Sequence, residues 1–340
     1  MPVNPKEIKD LANRLAANVR LKTDYKTFLN KERKLLVVEG STDEKFVERV
    51  KCDNVDCMSA NKVFRNNAAF RTTPPAATIN CKDAIVALIR GISICPSPFI
   101  QYPDDVDKWD VYGLVDLDCD ELAGGKPTPR LFVTDTHDLE TLLLSTDSNV
   151  LKNIDNCKIP DEDVRKALFM ATQLASARDL LHPYHNSEDF RLNAISCGSY
   201  EVGFGQFFTD CRVNLYELIK YIAAQSGNDL TPPKIKRIYD SVRNSKPGRK
   251  LFTADGIWKK EIGEFDVTRE VSWETINGHD ILQLLGYLNE SVGLAFYQGY
   301  KGDINREFEI SLINAYDCQN FKKTKLYEKM EKEKIVLSIA

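Results

Sequence analysis

The chain has 340 residues, of which 43% are apolar and 28% charged, enough for one elaborated domain or two with an ordinary soluble core. No apolar run is long enough to span a bilayer, and the opening Met1-Pro2-Val3-Asn4-Pro5-Lys6 has no secretory apolar stretch, so a cytoplasmic protein without a membrane partner is expected. A formal charge of −4 excludes a wholly basic nucleic-acid coat but leaves room for a local basic face.

In chain order, Ile8, Leu11, Leu15, Val19 and Leu21 recur at near-helical spacing and predict a leading helix within residues 1–32. The apolar run Leu35-Leu36-Val37-Val38 then predicts a buried strand that ends in Glu39-Gly40. Ser41 or Thr42 caps a following helix with Phe46, Val47 and Val50 on one face. A short strand is expected over Val55–Ser59, and a helix capped by Asn80 over Lys82–Ile92, after a loop rich in Asn, Thr and Pro. Strands over Trp109–Val115 and Arg130–Val133 follow, then the polar turn Thr134-Asp135-Thr136-His137-Asp138 and a helix from Leu139 to Leu144. Strands alternating with helices predict an α/β fold, a parallel sheet with helices on both faces. Helices are expected to dominate the remainder: Pro160 to Leu181, Leu215 to Gln225, His279 to Leu288, and a Lys/Glu-laced helix near Phe321 to Lys334. The organisation expected is a leading helix (1–32), an α/β catalytic domain (33–150) and a mainly helical region that binds substrate or partner (151–340).

The nine cysteines (Cys52, Cys57, Cys81, Cys95, Cys119, Cys157, Cys197, Cys211 and Cys318) are odd in number and lack C-x-x-C pairs. They read as free thiols rather than a disulfide framework or a zinc ribbon.

Chemistry concentrates where two apolar strands end in carboxylates: Glu39-Gly40 with Asp43, and Asp116-x-Asp118-x-Asp120. Buried parallel strands deliver such groups to the sheet edge where ligands bind in open α/β folds. An all-oxygen set suits Mg²⁺, with Mn²⁺ as an alternative, and such ions assist attack at a phosphodiester. Each member also has a plainer reading. Asp43 charges the first turn of its helix, and Asp120 is as readily a solvated turn residue as a ligand. Asp138 and Glu140 fall at a helix N-terminus, where acids are favoured electrostatically.

The order of these elements resembles the Toprim domain, shared by topoisomerases, primases and OLD-family nucleases, over roughly residues 33 to 146. The resemblance implies that Glu39, Asp116 and Asp118 bind metal and act in acid/base chemistry. The segments Thr134–Glu140 and Asn277-Gly278-His279-Asp280 further resemble the OLD-like subgroup of anti-phage systems, namely the AriB-like effectors of PARIS. That likeness implies Glu140 as an added metal ligand, an ABC-type ATPase partner that holds the protein latent, and tRNA cleavage as a toxin after release. Activity as a homodimer is a further expectation. The rival readings are an OLD-like DNA nuclease and a Toprim regulatory protein that binds metal or nucleotide without turnover.

His279 is a candidate catalytic base or phosphate contact, oriented by Asp280, against the alternative that Asn277 and Asp280 cap a helix. His182-x-x-His185 lacks a third ligand, and His137 adjoins the acidic turn. Residues 234 to 260 hold nine cations against Asp240 and Asp255, interleaved with Tyr239, Phe252 and Trp258. Lys246, Arg249 and Lys250 are the candidate nucleic-acid contacts, set against a solvated helix face with its aromatics in the core.

Overall fold

The computed structural model describes residues 34–63, 81–82, 84–86, 89, 111–117, 128–155, 157–184, 204–225, 230–296 and 306–336. The expected leading helix, the strand residue Trp109, Asp118, Asp120 and His185 lie outside these. Two compact units result, one formed by Met1–Leu142 with Asp317–Ala340 and the other by Leu143–Tyr316. No helix among the described residues is long and apolar enough to cross a membrane.

The first unit is built on a four-stranded parallel sheet: β1 (Lys34–Val38), β2 (Val55–Ser59), β3 (Val111–Val115) and β4 (Leu131–Val133), in spatial order β2-β1-β3-β4. Strand β1 is central, and Leu36, Val37 and Val38 are wholly buried, which is why its sequence is continuously apolar instead of alternating. Its register is set by Lys34 opposite Val55 on one side and Leu35 opposite Val111 on the other. Gly113 in β3 has a packing role: a Cβ there would fall 2.6 Å from the Ile85 Cγ2 and 3.0 Å from Ile89, both on the helical stretch that covers the strand. Helix α1 (Ser41–Val50) turns Phe46, Val47 and Val50 inward, as its spacing predicts.

The end of the chain returns to this unit. The Cys52 amide donates to the Ile335 carbonyl at 2.9 Å, Lys51 and Val336 form an antiparallel bridge, and Phe321 meets Phe46 edge-on at 5.1 Å. One helix over Phe321–Lys334 was expected; instead a 3₁₀ turn (Cys318–Lys323) gives way to a separate α-helix over Lys325–Lys332. Thr324 is the reason: its hydroxyl accepts from the Tyr327 amide at 3.0 Å and donates to the Phe321 carbonyl at 2.7 Å, so it caps one helix where the other ends.

The second unit is mostly helical. Helix α2 (Leu139–Thr146) leads into it, and a long α3 (Asp161–Leu181) forms its centre, with Leu168, Phe169, Met170, Leu174 and Leu181 buried. The unit also contains α4 (Leu215–Gln225), α5 (Pro232–Asn244), α6 (Lys246–Leu251), α7 (Gly278–Leu288), α8 (Glu290–Phe296) and α9 (Arg306–Ala315), of which α7 packs on α3. The segment 317–336 that precedes and includes α10 (Lys325–Lys332) belongs with the sheet, not with these helices. A two-residue hairpin, β5 (Phe208–Thr209) and β6 (Arg212–Val213), is held to α3 by Gln173. That amide donates to the Cys211 carbonyl and accepts from the Val213 amide, both at 3.0 Å.

Candidate active site

Strands β1 and β3 are parallel neighbours, with Val38 opposite Leu114, so the residues that follow them emerge at the same sheet edge. Glu39 and Asp116 are those residues. The Asp116 amide donates to the Glu39 Oε1 at 2.8 Å, which fixes the glutamate across the two strand ends. Asp43, three residues on in α1, accepts from the Gly40 amide through Oδ2 at 2.7 Å. The turn after β3 is set by Thr134, whose hydroxyl accepts from the Leu117 amide at 2.9 Å and donates to the Thr136 carbonyl at 2.7 Å.

These groups line a crevice of about 10 Å³ together with Asp43, Phe46, Leu139 and Leu326. That is room for about one water-sized sphere. Leu326, fully buried on α10, closes one wall, and its amide donates to the Asp135 Oδ2 at 2.9 Å. Asp135, which sequence reasoning placed in an acidic segment, thus anchors the C-terminal helix to the edge of the site.

Charge crowding is the dominant property of the crevice. Burial first, then the neighbouring carboxylates of Asp43, Asp138, Glu39 and Glu140, push the Asp116 carboxyl well above its usual range. A retained proton or a nearby positive charge each relieves such crowding. The same field reaches Cys81, whose thiol is raised by burial and then by Glu39 and Asp43. A thiol held protonated in this way is a poor nucleophile.

Asp138 and Glu140 are both buried. Asp138 caps α2: its Oδ1 accepts from the Thr141 amide at 2.9 Å and hydroxyl at 2.8 Å, while its own amide donates to the Thr141 hydroxyl at 3.0 Å. Its other oxygen lies 3.1 Å from the Nδ1 of buried His137. Glu140 follows in the first turn of α2 and contributes to the field on Asp116. The carboxylates that line the crevice, Glu39, Asp43 and Asp116, offer oxygen atoms alone, the donor type that hard divalent ions take.

Lys82 was not singled out from the sequence. It is 4% exposed, and its ammonium donates to the Leu117 carbonyl at 3.2 Å, one residue past Asp116. The signal available was a lysine in the first turn of the helix expected after Asn80, where the helix dipole disfavours a cation.

The other candidates belong to the second unit. Asn277 caps α7 by accepting from the Asp280 amide at 3.2 Å, and the Asp280 carboxylate is buried against Arg178 at 2.6 Å. Asp280 is therefore committed to an ion pair between α3 and α7. His279 is half-exposed, with its Nδ1 3.6 Å from the Glu309 carboxylate. His182 opens a short 3₁₀ turn and is exposed.

Lys246, Arg249 and Lys250 are all exposed on α6, which Ser245 caps by accepting from the Gly248 amide at 3.0 Å. Arg249 donates to the Asn244 carbonyl at 2.8 Å, and Arg243 lies over the rings of Tyr239 and Phe252. Trp258 serves the core: it is 6% exposed, its indole N–H donates to the Val213 carbonyl at 2.9 Å, and Phe252 stacks on it at 5.2 Å. The surface is thus a basic rim over a packed aromatic layer. No protein-family model matches the sequence, and no curated protein matches it.

Proposed function

We propose that this chain is a divalent-metal-dependent nuclease of the Toprim type. In this reading it works in the cytoplasm as an anti-phage effector that cleaves tRNA once an ABC-type ATPase partner releases it. The observation that carries the chemistry is the convergence of Glu39, Asp43 and Asp116 on one crevice, with Asp138 and Glu140 adding their field to Asp116. Such crowding of like charge is unfavourable in the free protein, and a bound cation is the physical remedy. The choice of tRNA, partner and trigger rests on the resemblance of Thr134–Glu140 and Asn277–Asp280 to the AriB-like group.

Glu39, Asp116 and Asp118 are assigned to the metal, with Glu140 as a further ligand. Mg²⁺ or Mn²⁺, when bound, neutralises charge at a phosphoryl oxygen and acidifies a water. The protein supplies the rest. The Asp116 amide holds Glu39 in position, Gly40 holds Asp43, and α10 closes the wall so that few waters compete for the carboxylates. Lys82 places a buried positive charge beside the strand end where phosphate charge develops. The exposed cations of α6 capture the nucleic-acid backbone.

The test incubates purified protein and Mg²⁺ with total tRNA, single-stranded DNA and plasmid in parallel, alongside Glu39→Ala. Cleavage of tRNA that disappears in the variant is the expected result. Cleavage of DNA alone favours an OLD-like DNA nuclease, and the absence of turnover on all three favours a non-catalytic Toprim protein.

A further inference from the structure

A roomy cavity in the second unit has no part in the carboxylate chemistry. It encloses about 730 Å³ within the second unit, between the start of α3, the turn after α2 and the segment 263–268. Pockets of roughly 300 to 1,000 Å³ are the usual size for small organic ligands. Its walls are apolar where they are deepest: Leu151, Leu168 and Phe265 are buried, and the half-buried Trp273 presents an aromatic surface beside them.

Its charges are one-sided. Asp147, Asp161, Glu264 and Asp266 line the cavity, and Arg165 is the single cation in that lining. The Arg165 guanidinium is oriented by donating to the Phe265 carbonyl at 2.8 Å, and its one positive charge stands against four carboxylates in the lining. Asp161 is offset by Lys152 at 2.8 Å, but that pair is exposed and solvent-screened. Asp147 is only 5% exposed, and one of its oxygens accepts from the Asn149 amide at 3.0 Å. Hydrogen bonds from the Thr268 hydroxyl and amide hold the Asp266 carboxyl below its usual range, so it stays ionised.

We propose that this cavity binds an amphipathic organic cation: an apolar or aromatic body that fills the space beside Trp273 and Phe265, carrying a protonated amine or guanidine that meets Asp147 and Asp266. Charge complementarity selects a cation, and the apolar walls select one with a hydrophobic body over a bare metal ion. Trp273 adds cation–π attraction to the same end. An anion of the same shape is rejected by the carboxylates.

Dansylcadaverine is a suitable probe, since it joins an aromatic body to a primary ammonium and its emission reports transfer out of water. Its N-acetyl derivative keeps the body and loses the charge. Titrated into the full-length protein, the amine is expected to saturate at one site and the acetylated form to bind about tenfold more weakly or worse, as loss of a charge-assisted hydrogen bond requires. Asp147→Asn should weaken the amine about tenfold and leave the acetylated form nearly unchanged. Because Asp147 is buried, Glu264→Gln/Asp266→Asn is the parallel variant, exposed enough to fold normally and expected to act in the same direction. Glu39→Ala should bind the amine as the wild type does, which separates this site from the proposed nuclease centre. Equal affinity of the two probes, absence of saturable binding, or unchanged amine affinity in folded carboxylate variants overturns the proposal.

Discussion

The crevice at the ends of β1 and β3 and the surface of α5 and α6 are both crowded with charge, yet they obey different rules. In the crevice burial, and after it the carboxylates of Asp43, Asp138, Glu39 and Glu140, push the Asp116 carboxyl well above its usual range. On α5 and α6 the cations stand in water. Lys236 pairs with Asp240 at 2.7 Å, Arg243 lies over aromatic rings, Arg249 donates to the Asn244 carbonyl, and Lys246 and Lys250 are exposed. A buried carboxyl is governed by the neighbours that packing puts around it, whereas charge dissolved at a surface marks only the sign of what approaches.

The largest effect expected is on turnover. Glu39→Ala and Asp116→Asn should each lower phosphodiester cleavage by at least about 10²-fold, the usual cost of removing one group that stabilises transition-state charge. The fold should be retained, since both residues follow their strands rather than sit within them. Cleavage rates beside circular dichroism decide the matter, and equal rates in wild type and variant remove the crevice from the chemistry.

Next in size is the loss of substrate capture when Lys246, Arg249 and Lys250 are all replaced by alanine. Each lost phosphate contact should reduce the slope of log affinity against log salt by about 0.7 to 0.9. Mg²⁺ affinity should hold. Titration at several salt concentrations reads the slope, and an unchanged slope makes α6 an ordinary solvated face.

A smaller effect concerns pH. The Asp116 carboxyl is raised in the folded protein above its ordinary value of 3.8, so over the interval between the two the folded state holds a proton that the unfolded state has released. Metal-free stability therefore falls as pH rises through that interval. Asp116→Asn should flatten this decline and raise the unfolding midpoint at neutral pH, and Mg²⁺ should raise the wild-type midpoint but not that of the variant. Denaturation curves at several pH values, with and without the ion, check both signs. A wild-type midpoint that rises with pH across the interval contradicts the crowding.

The smallest effect is expected at Lys236. Its ammonium is raised by the hydrogen bond to Asp240, but both are solvent-exposed, so Lys236→Ala should leave the unfolding midpoint within error. A clear loss of stability there would mean that the α5 surface is less screened than its exposure implies.

Much of the first unit is legible from the residues themselves. Apolar segments ending in turn or acidic residues define β1, β3 and β4, because a buried parallel strand is apolar on both faces, and strand ends place Glu39 and Asp116 at one edge without further information; β2, with Asp56 and Ser59, carries a weaker pattern. Helix boundaries such as Asp161–Leu181 follow equally well from periodicity. What local pattern does not contain is which distant segment covers what. The bond from the Leu326 amide to Asp135 joins residues 191 apart in sequence, and it turns an ordinary surface-patterned helix into a wall of the crevice. Asp280 beside His279 leaves an orienting pair and a helix cap equally open in the sequence; packing of α7 on α3 gives its carboxylate to Arg178. Trp258 leaves two readings open in the sequence, a stacking surface or a core aromatic, and its N–H bond to the Val213 carbonyl decides for the core. Strand, helix and cap are decided by neighbours along the chain; burial, and with it the partner each polar group must find, is decided only when segments remote in sequence close over one another.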